Sequence, residues 1–128
     1  MKKSLLLLAI VVAGCSDAPK NRLLPGSYGG NHISIIVELQ RTQFLFDCAS
    51  GVVEGSIPLN RQDEFNVTGT FMNGGNAQNV DHTPHPARYQ GSLSGAIVTF
   101  SLFMPPDAAT PIDIYTATRG ATPQIAAC

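Results

Sequence analysis

The chain has 128 residues, 13% of them charged, and a formal net charge of −1 at neutral pH. Lysine and arginine form no cluster along it, which argues against nucleic acid as a partner. The sequence contains 12 glycines and 9 prolines, and so many chain-breaking residues argue against a fold of long helices.

The first stretch to interpret is MKKSLLLLAIVVAGC, residues 1–15. Two lysines precede an apolar run from Leu5 to Gly14, which is about half the length that a membrane-spanning helix needs. Small residues, Ala13 and Gly14, end the run. A basic start, a short apolar run and a small-residue end are typical of a secretory signal peptide.

The motif VAGC at residues 12–15 resembles the bacterial lipobox. The resemblance implies that residues 1–14 are a lipoprotein signal peptide and that Cys15 receives diacylglycerol and further acyl groups such as palmitate. The protein is then anchored to a membrane of the bacterial cell envelope. Ser16 stands where an aspartate retains lipoproteins in the inner membrane, so the outer membrane is favoured in a Gram-negative host. The alternative is an ordinary signal peptide with an unrelated cysteine.

Residues 15–25 are polar and contain Pro19 and Pro25. This composition predicts a tether, with a single folded domain at residues 26–128.

In that domain apolar residues recur at every second position, which is the period of half-buried strands. The main examples are Ile33, Ile35, Val37 and Leu39; Phe44, Phe46 and Cys48; Phe65, Val67 and Phe71; Val98, Phe100, Leu102 and Met104. A hairpin turn is predicted at residues 49–51 and a last edge strand at residues 123–128. About seven to eight short strands predict an all-β fold, a small antiparallel barrel or sandwich.

Cys48 and Cys128 remain once Cys15 is assigned to lipid. An exported protein meets an oxidising compartment, where a pair of thiols tends to form a disulfide. We therefore predict a Cys48–Cys128 disulfide, with two unpaired thiols as the alternative.

Residues 73–87 have no strand pattern, and long connections of this kind are often functional. The segment and its border gather two imidazoles, a cation and an aromatic ring, which makes His82, His85, Arg88 and Tyr89 candidate binding residues. In the alternative interpretation Arg88 and Tyr89 begin the next strand. Imidazole and carboxylate suit zinc or copper, but two histidines around Pro84 need not converge, so no metal and no cofactor is expected.

No catalytic residues are assigned, since neither a Gly-x-Ser-x-Gly elbow nor a phosphate-binding loop occurs. The set Gly26, Tyr28 and Arg119 resembles the lipocalin-type signature, with tyrosine in place of tryptophan. That resemblance implies that Tyr28 and Arg119 close one end of a barrel.

The series YGGNHI, DCASG, GTF, HPARYQG and RG-x-x-P is similar to small exported bacterial β-domains without an assigned activity. The expected function is therefore a non-enzymatic binding or structural module that meets an envelope protein or polymer. The alternatives are an enzyme of unrecognised type and a barrel that binds a small apolar ligand.

Overall fold

A computed structural model describes residues 21–74, 81–126 and 128. These residues form a closed antiparallel barrel of eight strands that follow one another around the barrel in chain order. The all-β prediction is confirmed, and of its two architectures the barrel is the one present. Within the described part of the chain, no helix is long and apolar enough to cross a membrane.

The strands are β1 (Gly26–Gly30), β2 (Ile33–Val37), β3 (Arg41–Phe46), β4 (Ala49–Glu54), β5 (Glu64–Asn73), β6 (His85–Ser94), β7 (Ile97–Phe103) and β8 (Asp113–Arg119). Because neighbouring strands run in opposite directions, their connections alternate between two ends of the barrel. The lower end holds the connections 38–40, 55–63 and 95–96. The upper end holds the connections 31–32, 47–48 and 104–112, together with Gly74 and residues 81–84 of the connection between β5 and β6.

Aromatic side chains fill the barrel interior. The rings of Phe44 and Tyr89 stack with their centroids 4.3 Å apart, and Phe100 contacts Phe44 at 5.1 Å. These rings come from β3, β6 and β7, so a single cluster ties together strands on different sides of the barrel. Offset and tilted ring pairs add to the stability that burial of apolar area provides.

Three buried aliphatic side chains occupy the lower end: Leu23, Ile57 and Leu59. The N–H of Leu23 donates to the carbonyl of Ile57 at 2.8 Å. Leu23 is only 2% exposed. The folded domain therefore starts before the predicted residue 26, because Leu23 takes part in the core and residues 21–25, here called the leading segment, pack against the barrel.

Two other boundaries differ from the sequence expectation. The turn after β3 lies at Asp47 and Cys48, not at residues 49–51, and Cys48 has a positive φ of 55°. Leu39 continues the alternating pattern of β2 but falls in the turn to β3 and is 61% exposed. Periodicity alone does not show where a strand stops, because turn residues can extend the same pattern by chance.

The C-terminal tail, from Gly120 onward, runs from the lower end back to the upper end. Its backbone crosses β1 so closely that a side chain at Gly29 would overlap Ala121 and Pro123. Gln124 then forms a parallel bridge with Asn31. The predicted last strand is thus reduced to one bridge, because the tail follows β1 for only a short distance.

Candidate binding groove at the upper end

A groove of about 780 Å³ opens at the upper end, beside β8. It forms because β1 and β8 pair only at Tyr28–Arg119 and Gly29–Thr118, while β8 extends up to Asp113. Its lining includes His32 and Asp47 from two upper turns and Asp113, Tyr115 and Thr116 from β8.

Asp47 joins three separate parts of the chain at this groove. One carboxylate oxygen contacts Nδ1 of His32 in the turn between β1 and β2. The other accepts the N–H of Ala126 in the tail at 2.6 Å. The Ala126 hydrogen bond, together with His32, holds the pKa of Asp47 below its usual value. Asp47 therefore stays ionised near neutral pH and fixes the tail against the upper turns.

Tyr115 lies where the packed interior meets the groove. Its ring contacts Phe46 at 4.9 Å and Phe100 at 5.4 Å, measured between centroids. Burial, together with the negative charges of Asp113 and Asp47, raises the pKa of Tyr115 to about 12. The hydroxyl group therefore remains protonated at physiological pH and is able to donate a hydrogen bond.

The lining carries two carboxylates, Asp47 and Asp113, and one imidazole, His32. Among the residues that the structure describes, no lysine or arginine lines the groove. The described residues also include no group of three or more His, Cys, Asp or Glu side chains arranged to hold a metal ion. The groove can thus offer hydrogen-bond acceptors and negative charge to a ligand.

The predicted binding histidines lie at the upper end but outside this groove. His82 Nδ1 is 3.0 Å from the carbonyl oxygen of Asn73, and His85 Nε2 is 2.7 Å from Asp81. Hydrogen bonds from Thr83, and then from His85, lower the pKa of Asp81 to about 2. A hollow of about 440 Å³ adjoins His85, and ligand binding by either histidine stays a prediction.

Arg88 and Tyr89 lie inside β6, whose first residue is His85. The Arg88 guanidinium lies 3.9 Å from the centre of the Phe103 ring, and its Nε donates to the carbonyl of Pro106 at 2.7 Å. Tyr89 is fully buried and donates to the carbonyl of Thr70 at 2.7 Å. These positions match the alternative in which both residues belong to the sheet, and burial removes Tyr89 from any surface contact.

Tyr28 and Arg119 are cross-strand neighbours where β1 meets β8. The hydroxyl of Tyr28 donates to the carbonyl of Leu24 at 2.8 Å, and Arg119 donates to the carbonyl of Pro25 at 2.7 Å. Burial raises the pKa of Tyr28, while the positive charge of Arg119 opposes this shift. Both side chains thereby bind the leading segment to the closing strand pair.

Cys48 and Cys128 lie at disulfide distance, with their Cα atoms 5.1 Å apart. This pair connects the end of the tail to the turn that also contains Asp47. Cys15, the predicted lipidation site, lies outside the described residues.

Sequence patterns alone do not assign Asp47, Asp113 or Tyr115 to a site. A signal was present for two of them, because Asp113 and Tyr115 share one strand face with Ala117, which is fully buried. When a strand face carries buried residues along most of its length and a carboxylate at its end, the carboxylate marks the point where the barrel interior meets solvent.

Comparison with family models, curated proteins and solved structures finds no match for this chain.

Proposed function

We propose that the protein is a lipid-anchored binding module of the bacterial cell envelope. In this proposal lipid on Cys15 holds the lower end of the barrel near the membrane, and the upper groove meets an envelope protein or polymer. The observation that carries the proposal is the placement of the leading segment and the groove at opposite ends of the barrel. The role is non-enzymatic, since the groove offers charge and hydrogen bonds without an assigned catalytic group.

The leading segment is fixed at the lower end by backbone contacts. Arg22 bridges to Pro58, and the N–H of Leu59 donates to the carbonyl of Asn21 at 2.6 Å. Asn21 lies six positions after Cys15 in the sequence, and an extended chain of that length spans at most roughly 22 Å. An acyl group on Cys15 would therefore keep the lower end within that distance of the bilayer surface.

Exposed aliphatic side chains occur at both ends of the barrel and do not set its orientation. At the lower end Leu24 is 44% exposed, Leu39 61% and Ile97 44%, and at the upper end Ile112 is 51% and Ile114 60% exposed. The proposed orientation therefore rests on the short chain between Cys15 and the leading segment.

A small apolar ligand inside the barrel is the weaker alternative. The described interior is occupied by the rings of Phe44, Tyr89 and Phe100, and apolar ligands need an unfilled apolar cavity. No observation on the described residues favours an enzyme of unrecognised type.

The anchor is tested by fractionation and mass spectrometry of the full chain. Wild-type protein should carry an acyl modification on Cys15 and sediment with membranes, whereas Cys15→Ser should lose the modification and retain residues 1–14. In a Gram-negative host, Ser16→Asp is the matched control: it should remain acylated but move to the inner membrane. An unmodified wild-type protein, or a Cys15→Ser variant that is cleaved before residue 15 like the wild type, would contradict the proposal.

A further inference from the structure

One edge of β8 is only partly used. Along its other edge β8 pairs with β7 from Leu102–Asp113 to Ile97–Thr118. On the β1 side, pairing is limited to Thr118 and Arg119. The edge from Asp113 to Tyr115 therefore has no strand partner among the described residues, and it faces the groove. Further down, a side chain at Gly30 would overlap the carbonyl oxygen of Thr116, so β1 covers that carbonyl.

The tail is hydrogen-bonded to the end of β1, at the border of the groove. The N–H of Gln124 donates to the carbonyl of Gly30 at 3.0 Å, and the N–H of His32 donates to the carbonyl of Gln124 at 2.7 Å. These bonds attach the end of β1 to the tail. The upper part of β8, from Asp113 to Tyr115, lines the open groove of about 780 Å³.

The unpaired backbone N–H and carbonyl groups of β8 face the groove, as the hydrogen bonds at the lower end of the strand show. The N–H of Arg119 donates toward β7, at the carbonyl of Ala96, whereas the N–H of Gly120 donates toward β1, at the carbonyl of Ser27. Strand alternation then directs the N–H and carbonyl of Ile114 and the N–H of Thr116 toward the groove, whereas the carbonyl of Thr116 lies against Gly30.

The N–H of Ile114 is satisfied locally. It donates to its neighbour's side chain, Asp113 Oδ1, at 2.8 Å. A side-chain oxygen thus accepts the hydrogen bond that a neighbouring strand would otherwise accept. Backbone N–H groups need such an acceptor when no strand pairs with them. A peptide that replaced this local bond would pair with the strand backbone instead.

Charge and apolar exposure around the edge indicate which peptide fits. The groove presents Asp47 and Asp113 with no lysine or arginine among the described lining residues. On the outer side of the edge, Ile112 is 51% exposed and Ile114 is 60% exposed. An added strand presents alternate side chains to its two faces. Cationic side chains on one face would meet the carboxylates of the groove, and aliphatic side chains on the other face would meet the exposed isoleucines.

We propose that the groove binds an extended, lysine- or arginine-bearing peptide segment of an envelope protein, which adds as a strand to the free edge of β8. The proposal deepens and rests on the binding function proposed above, and names its partner class. Backbone hydrogen bonds to β8 would supply affinity, and the cation beside Asp113 would supply selectivity.

The test uses the purified full chain in detergent micelles and titration calorimetry with synthetic octapeptides. The probe alternates lysine and valine. One matched peptide alternates glutamate and valine, and a second carries the lysine–valine sequence with N-methyl groups on alternate backbone nitrogens. We expect binding of the first peptide only, weakened by added salt, because N-methylation blocks strand pairing while it retains the charge.

Two protein variants distinguish the effect of the carboxylate on the β8 edge from the effect of the overall negative charge of the protein. Asp113→Asn keeps an oxygen that can accept the Ile114 N–H but removes the charge, and should weaken binding roughly two- to fivefold. Asp107→Asn removes an exposed acid of the 104–112 connection, outside the groove, and should leave binding unchanged. Thermal midpoints of both variants should match that of the wild type.

Equal binding of the N-methylated peptide would overturn the proposal, as would equal effects of the two variants. Absence of binding by the unmethylated lysine–valine peptide would also overturn it. The measurement does not depend on acylation of Cys15, so failure of the anchor and failure of the peptide site are separate results.

Discussion

Gly51 of β4 lies against the hydroxyl of Tyr89 of β6 inside the barrel. A side chain at Gly51 would overlap the Tyr89 hydroxyl and would lie 2.9 Å from the carbonyl oxygen of Thr70, the acceptor of that hydroxyl. Gly51→Ala should therefore lower the free energy of unfolding by about 1–3 kcal/mol. Chemical denaturation of the two proteins measures this difference.

Tyr89→Phe provides the control. Loss of the hydroxyl should cost about 0.5–1.5 kcal/mol on its own, but it also makes room for a methyl group at Gly51. The double variant should therefore be more stable than the sum of the single effects predicts. Strict additivity would show that the hydroxyl does not limit the space at Gly51.

Asp47 should make the tail sensitive to acid. Its pKa in the folded protein lies below the ordinary value of 3.8, chiefly because the N–H of Ala126 donates to it. The stabilisation from this carboxylate is fully present above pH ~4 and is lost as pH falls through the lower folded pKa. The Ala126 amide signal in nuclear magnetic resonance spectra should titrate in that acidic range. In Asp47→Asn the signal should no longer titrate, and an unchanged titration would assign it to another group.

At the scale of the element, the tail is held by the Cys48–Cys128 pair, which closes a loop with a sequence separation of 80 residues. A disulfide across a loop of that length stabilises a fold by roughly 2–4 kcal/mol, mainly by restricting the unfolded chain. Cys128→Ser should lower the unfolding free energy by about that amount, and Cys48→Ser should match it. Thiol labelling of exported, unreduced wild-type protein would contradict the bond.

The strands were largely predictable from local sequence, because alternation marks one buried face. Ile33, Ile35 and Val37 are all buried as that pattern predicts. The turn at Asp47 and Cys48 was not predictable in the same way, since His32 and Ala126 fix it from distant parts of the chain. Local patterns report burial, whereas turns of this type depend on contacts between remote segments.

For the whole molecule, the all-β class followed from composition and period, but the groove did not. It exists because β1 ends at Gly30 and pairs with only two residues of β8, whose strand continues up to Asp113. That arrangement depends on how segments far apart in the sequence meet, and the alternation of apolar residues within one strand does not predict such meetings. The candidate loop residues were chosen by chemical type, and so Tyr89 was included although it is fully buried.

The central claim is that the anchored barrel turns its groove away from the membrane. The most direct measurement places a fluorescent unnatural amino acid either at Gln40, in a lower-end turn, or at Asp107, in an upper-end connection. Each protein, acylated on Cys15 as proposed, is inserted into vesicles that contain a spin-labelled lipid headgroup. Fluorescence should be quenched strongly at Gln40 and weakly at Asp107. Equal quenching, or stronger quenching at Asp107, would contradict the proposed orientation.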